Sequence, residues 1–259
     1  MTPKLVVSDW NGTLITDKDD KPMLKQIGMD ELAYCAKRPW RWGRAWNLAM
    51  LKGKLEKLVA QYRDDPWSQA ELLRATFDLY SSEVIRGTPM SRIYSSTNRY
   101  ASNAVTRLDP AFNEFCDVAP ASFILTSALE LGVVEVTNKS GRMGFTPDNH
   151  IRCVRGSRIV SYMAYGARDV AADGILLENY DDKAEVLSDI LTKESIRPES
   201  AVFMGDDFRD EPCAEIVGRF VVAPLAPDAY RQHMASKYGS KVRTPGRAKG
   251  EVYKALTRD

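Results

Sequence analysis

The β-forming runs of this chain are divided by a long helical stretch. One short run, Leu5-Val6-Val7, stands near the start, bounded by Pro3 before it and by Asp9 and Gly12 after it. The next, Ser122-Phe-Ile-Leu125, comes only after Pro120. A compact apolar run between turn signals suits a strand buried on both faces, as in a parallel sheet. What separates the two reads as helix after helix. Leu48, Leu51, Leu55, Leu58, Val59 and Tyr62 keep three-and-four spacing. Pro66, Ser68 and Glu71 announce a second helix with Leu72, Leu73, Phe77 and Tyr80 as its stripe, and a polar helix is expected after Pro89. The block between about residues 22 and 108 is therefore expected to hang as an insertion between the first strand and the rest of the sheet.

After Pro120 strands and helices alternate. Val133 to Val136, Ile151 to Val154 and Ile159 to Tyr165 read as β segments of a small antiparallel excursion. Asp182-Lys-Ala-Glu185 has capping-box spacing and opens a helix with the stripe Ala184, Leu187, Ile190 and Leu191. The strand Ala201 to Met204, an acidic loop, the helix Pro212 to Val217 and the strand Arg219 to Val222 follow. This order predicts an α/β fold with a doubly wound parallel sheet.

Composition removes several alternatives. A length of 259 residues allows one large domain or a core with a smaller companion. The four cysteines, Cys35, Cys116, Cys153 and Cys213, are widely spaced, which argues against a disulfide framework or a zinc site. The two histidines, His150 and His233, have no metal-ligand spacing, so any metal should be held by oxygen. No run approaches the ~18 apolar residues of a membrane span, and a cytoplasmic protein is expected. The net charge of +1 gives no overall bias toward nucleic acid or an anionic surface.

Four segments place polar groups just past predicted strands or at a helix start: Asp9-Trp-Asn-Gly-Thr13, Thr126-Ser127, Lys183, and Gly205-Asp-Asp-Phe-Arg-Asp210. In open α/β sheets that end of the strands is where ligands bind. Together they offer a carboxylate nucleophile, a hydroxyl for an anion, a cation and a second set of carboxylates. Such a set makes sense around a hard divalent cation and a phosphate, with Mg²⁺ on oxygen ligands and the lysine balancing phosphoryl charge.

These segments resemble the four motifs of the haloacid dehalogenase (HAD) superfamily of phosphohydrolases. V-V-S-D-W-N-G-T-L is similar to the first motif, F-I-L-T-S to the second, D-K-A-E-V-L to the third and V-F-M-G-D-D-F-R-D-E to the fourth, in the family's order. The helical insertion resembles the C1 cap of the phosphoserine phosphatase-like branch. The resemblance implies a Rossmann-like core over residues 1–14 and 109–259 and a cap over 15–108. It implies a Mg²⁺-dependent phosphatase acting on a small phosphorylated metabolite. Asp9 would form an aspartyl-phosphate, Thr126 would bond a phosphoryl oxygen, and Lys183 would neutralise charge. Mg²⁺ would be held by Asp9, the backbone carbonyl of Asn11 and Asp206, with Asp210 and Asp207 holding metal-bound water or orienting Lys183. Gly12 and Thr13 would shape a turn that aims N–H groups at the phosphate, and Ser127 accompanies Thr126 in the phosphate-binding set.

One position departs from the family. Asn11 stands where a general acid–base aspartate is usual, and its amide transfers no proton, a loss worth ~10² to 10⁴ in rate. Three readings follow: substrates with good leaving groups, an acid or base supplied by the cap, for which His150 is the candidate, or a non-catalytic phosphate binder. Phosphoryl transfer or phosphonate cleavage through a cap lysine, from Lys25, Lys52, Lys54 and Lys57, is a further alternative.

Each residue also has an ordinary reading. Asp9 and the Asp206, Asp207 and Asp210 group suit turns and helix starts, and Lys183 could simply face solvent. Between Lys37 and Arg63 lie eight Lys or Arg, one Glu (Glu56), and Trp40, Trp42 and Trp46. The expectation is a cap helix with its tryptophans in the packing stripe, ahead of a nucleic-acid or membrane patch or a guide for anionic substrate. The near-zero charge is then the sum of this basic stretch and acidic loops at Asp9, Glu178 to Asp182 and Asp206 to Glu211. His150 and His233 are expected on the surface or in loops. Oligomeric state is not legible here.

Overall fold

In the computed structural model, which describes residues 3–17, 21–62, 69–118, 122–142, 151–162, 170–176 and 183–258, the first strand finds its partners far along the chain. Strand β1 (Leu5–Ser8) pairs in parallel with β2 (Ser122–Leu129) on one side and β5 (Ala201–Gly205) on the other, with Val7 opposite Phe123 and Phe203. All four β1 residues are buried, as a strand covered on both faces requires. Pro66, Ser68, Pro120, His150 and the loop Glu178 to Asp182 lie outside the described residues.

The chain divides into two units, one comprising Met1–Asp20, Ala101–Ser157 and Glu178–Asp259, the other Lys21–Tyr100 and Arg158–Leu177. The division thus falls a few residues inside the expected 15–108 limits, and the helical unit takes in a second segment that the sequence did not signal.

In the first unit, β3 (Ile151–Tyr162), β6 (Arg219–Val222) and β7 (Val242–Arg243) complete a sheet of order β3-β2-β1-β5-β6-β7 among the described residues. Every neighbouring pair in it is parallel. The doubly wound α/β fold expected from the alternation is present. Alternate residues of the strands, Leu5, Val7, Phe123, Leu125, Phe203, Phe220 and Val222, pack in one core with α8 (Lys183–Lys193), α9 (Glu211–Ile216) and α10 (Asp228–Tyr238). Helices α6 (Pro110–Cys116), α7 (Glu130–Lys139) and α11 (Glu251–Thr257) also belong to this unit. Glu114 of α6 accepts hydrogen bonds from the Gly250 and Tyr253 amides (2.6 and 2.8 Å), supplying the N-terminal cap that α11 lacks from its own Gly250.

Val133 to Val136 is helical, within α7, and not a strand. Gly132, Val133, Val136 and Thr137 are its buried positions. A face at helical spacing gains more from burial than β-branched preference opposes. Ile151 to Val154 and Ile159 onward form one continuous strand, β3, whose last residues belong to the helical unit.

That unit holds α1 (Lys21–Ala36), α2 (Trp42–Ala49), α3 (Leu51–Gln61), α4 (Gln69–Tyr80), a π-helical turn Ser81–Ile85 and most of α5 (Met90–Ala104). The end of β3 pairs antiparallel with β4 (Ala171–Leu176). The predicted helix from Leu48 to Tyr62 is broken at Met50 into α2 and α3, and Leu48 and Leu51 are the buried residues flanking the break. Arg44 donates to the carbonyls of Val84 (3.1 Å) and Arg86 (2.8 Å) and to the Thr88 hydroxyl (2.7 Å), taking up acceptors freed where the π turn ends.

Candidate active site

The strand order reverses direction between β1 and β5, the switch point at which open α/β sheets bind ligands beyond the carboxyl ends of their strands. Ser8 lies opposite Met204, and the Asp9 amide donates to the Met204 carbonyl at 2.9 Å, so Asp9 emerges beside the loop that follows β5. The first loop is folded tightly. Trp10 is buried edge-on against Phe112, with ring centroids 6.2 Å apart, and its carbonyl accepts the Leu14 amide at 2.9 Å. Gly12 turns the chain at φ +74°, and a Cβ there would fall 2.3 Å from Asp206 Oδ2, so both conformation and space demand glycine. The Thr13 hydroxyl donates to Asp206 Oδ1 at 3.0 Å and ties the two loops together.

Lys183, the first residue of α8, is buried with its ammonium 2.8 Å from Asp9 Oδ1 and 2.5 Å from Asp210 Oδ1. A cation at the positive end of a helix is locally unfavourable, and here two carboxylates from β1 and the β5 loop offset that cost. The second oxygen of Asp210 accepts the Asp206 amide at 3.0 Å, and Asp210 is wholly buried. Gly205 lets it sit there, since a Cβ at that position would lie 2.3 Å from Asp210 Oδ2. One carboxylate oxygen each from Asp9, Asp206 and Asp210 lies within 4.8 Å of the others.

The other predicted residues are placed differently. Asp207 accepts from the Arg209 amide (2.9 Å) and Nε (2.8 Å) and pairs with its guanidinium, so Arg209, which no motif marked, occupies it. The amides of Gly12 and Thr13 do not aim outward as expected. Gly12 donates to the carbonyls of Ile15 and Asp17 and Thr13 to that of Trp10, because a turn this short consumes its own donors. Asn11 is half-buried and bridges to Ile15. β2 runs on to Leu129 through an irregular register after Leu125, and there the Thr126 hydroxyl accepts the Ala128 amide at 3.1 Å. By register Thr126 lies two residues past Ile124, the partner of Ser8, at the Asp9 end of the sheet, with Ser127 beside it half-buried.

No family model matches the sequence, and no curated protein does. Solved structures do resemble it. A phospho-aspartyl intermediate analogue of phosphoserine phosphatase superposes with a TM-score of 0.53 at 13% identity, covering 96% of this chain and 95% of that one. A HAD family hydrolase from Salmonella enterica serovar Typhi gives 0.54 at 13% identity over 98% of this chain and 71% of the other. Cytosolic 5'-nucleotidase IIIB bound to cytidine gives 0.57 at 15% identity over 98% and 85%. The chain shares the α/β fold of these structures.

In this core the cluster carries more negative than positive charge. Burial drives the Asp206 carboxyl up to about 8, with Asp9, Asp210 and Asp207 adding to the effect and the Thr13 hydroxyl opposing it. Burial likewise lifts Asp210 to about 7, with Lys183 pulling the other way and Asp9 and Asp207 reinforcing the rise. Burial disfavours the Lys183 ammonium, yet Asp210, Asp9 and Asp207 outweigh it and hold the group above its ordinary value. At half-buried Asp207 partial burial raises the carboxyl, but Arg209 and Lys183 outweigh it and hold the group below the usual carboxylate range. Close oxygen donors that resist ionising together suit a hard divalent cation, so the donor set fits Mg²⁺.

The basic stretch of the helical unit is not packed as expected. Trp40, Trp42 and Trp46 are 80%, 61% and 68% exposed, and the buried apolar positions nearby are Leu48 and Leu51. The Trp42 indole N–H donates to the Ala36 carbonyl at 3.2 Å, and the packing positions fall to Leu48 and Leu51 instead. Of the lysines considered for phosphonate chemistry, Lys25, Lys52 and Lys57 are exposed and Lys54 is paired with Glu83 at 2.6 Å. His233, on α10, lies 3.0 Å from Glu211. No helix among the described residues is long and apolar enough to cross a membrane.

Proposed function

We propose that this chain is a Mg²⁺-dependent HAD-type phosphatase that hydrolyses a small phosphate monoester. One observation carries the reading: Asp9, Lys183, Asp206 and Asp210, from three separate segments, converge at the switch point of a doubly wound sheet. Asp9, Asp206 and the backbone carbonyl of Asn11 would hold the metal. Mg²⁺, when bound, would neutralise developing charge on the phosphoryl oxygens.

Asp9 would attack phosphorus through the oxygen that Lys183 does not hold. A bond forms from that oxygen to phosphorus, and the ester P–O bond breaks to release the leaving oxygen as an anion, which takes its proton from solvent. Lys183, fixed by Asp210, holds one oxygen of Asp9 in place and balances charge on the transferring group. The Thr126 hydroxyl, held at the end of β2, would donate to a phosphoryl oxygen. Water then cleaves the aspartyl-phosphate, releasing inorganic phosphate and restoring the carboxylate. Asn11 gives the leaving oxygen no proton, so the enzyme is best matched to leaving groups that depart as stable anions.

Purified protein with Mg²⁺ should turn over an aryl phosphate and, faster, an acyl phosphate, whose leaving group needs no proton. Asp9→Asn should abolish both. Absence of turnover on either substrate, or unchanged turnover in Asp9→Asn, refutes the proposal.

A further inference from the structure

Helices α1 and α5 turn polar faces toward a common space. On α1 the residues at three-and-four spacing are Asp30, Glu31 and Tyr34, with Lys37 and Arg38 beyond its end. On α5 they are Arg92, Ser95, Ser96 and Arg99. Facing stripes of two packed helices are ordinarily apolar. These instead line a cavity of about 410 Å³ within the helical unit, a size that accommodates a small molecule.

The cavity's charge is unbalanced. Arg99 is paired with Asp30 at 2.6 Å. The buried Glu31 carboxylate is shared by Arg92 (3.2 Å), Arg44 (3.2 Å) and, more distantly, Arg41 (3.9 Å). Arg38 and Lys37 have no carboxylate partner among the described residues. Arg38 is nevertheless held in place: it donates to the Tyr34 carbonyl at 3.0 Å and its guanidinium lies 3.6 Å over the Tyr34 ring. Arg92 lies 3.6 Å from the same ring centroid, so the two cations occupy its two faces, within about 7 Å of each other. Like charges set that close are unfavourable unless an anion joins them. The Arg38 guanidinium, pre-positioned without a carboxylate partner, is built to take an oxyanion through paired N–H donors. With both faces of Tyr34 covered, the ligand is recognised by charge and not by stacking on that ring.

We infer that the cavity between α1 and α5 is a binding site for a small, multiply charged oxyanion, gripped chiefly by Arg38 and Lys37, with Arg92 and Arg99 adding positive charge from α5. The inference is independent of the phosphatase reading. Phosphoryl and carboxylate groups share the required chemistry, so two probes separate them: inorganic pyrophosphate and citrate. Each is titrated calorimetrically at low ionic strength, with EDTA present, into the full chain. At least one probe should bind with a single-site isotherm, and Arg38→Gln should weaken it tenfold or more. The exposed Lys52→Gln should leave it unchanged. Should Arg38→Gln fail to fold, Arg99→Gln serves in its place. The inference is overturned if neither probe binds at millimolar concentration, if the arginine variant binds as wild type does, or if Lys52→Gln weakens binding equally. None of these outcomes bears on aryl phosphate turnover.

Discussion

Replacing Asp206 by asparagine should stabilise the metal-free protein while removing its response to Mg²⁺. Asparagine is isosteric and keeps an acceptor for the Thr13 hydroxyl, so the bond between the two loops survives. It also removes one charge from a cluster in which burial and three neighbouring carboxylates push Asp206 up to about 8. A carboxyl whose folded pKa lies above its unfolded value of 3.8 binds more protons folded than unfolded. Its contribution to stability is therefore lost as pH rises from about 4 to about 8, and stays lost above that. Moving one carboxyl from 3.8 to about 8 sets a ceiling on the order of 5–6 kcal/mol. Asp9 and Asp210 share that repulsion and Asp206 is only partly covered, so a gain on the order of 1–3 kcal/mol at pH 8.5 is expected. Urea unfolding in EDTA at pH 5.5 and 8.5, then with Mg²⁺, measures it. The variant should exceed wild type at pH 8.5 and approach it at pH 5.5. Mg²⁺ should raise wild-type stability, more at the higher pH, and leave the variant nearly unmoved. A variant less stable than wild type at pH 8.5 without metal, or stabilised by Mg²⁺ as strongly as wild type, would refute the reasoning.

Lys183→Met should cost about 10²–10³-fold or more in aryl phosphate turnover, and it leaves Asp9 and Asp210 facing each other without their shared cation. Thermal unfolding should then show a loss of about 3–5 kcal/mol near neutral pH, shrinking as the carboxyls protonate in acid. Gly12→Ala pushes a methyl into Asp206 and strains a positive φ. A loss of about 1–3 kcal/mol with weaker Mg²⁺ binding is expected, readable by unfolding with and without the metal. In the helical unit, Glu31→Gln removes the one carboxylate among Arg41, Arg44 and Arg92. Chemical denaturation should report about 3–5 kcal/mol of destabilisation, whereas a value within experimental error would mean that these arginines are solvated.

Much of the core was readable because its signals are local. Leu5 to Val7 and Ala201 to Met204 are apolar runs closed by Asp and Gly, and the strands formed there. Val133 to Val136 misled because a β-branched run looks alike in a strand and in a buried helix face, and only the packing of α7 distinguishes them. The tryptophans misled for a related reason: helical spacing does not say which face of a short helix packs, and Trp46 stands nearly opposite the buried Leu48 on α2. Asp9, Lys183, Asp206 and Asp210 were legible from their positions after strands or at a helix start. Asp207 was not separable from them, since its occupation by Arg209 depends on which way a short loop folds.

By itself the sequence determined the order of strands and helices, the doubly wound class, and the residue types offered at the strand ends, because turn chemistry and strand burial act between near neighbours. Only the tertiary structure decided that two carboxylates share one lysine, that three stand within 4.8 Å of one another, and which amides the first turn consumes. It alone brought the polar faces of α1 and α5 around a charged cavity. Those outcomes depend on distances between segments remote along the chain, and electrostatic energy follows distance in space rather than separation in sequence.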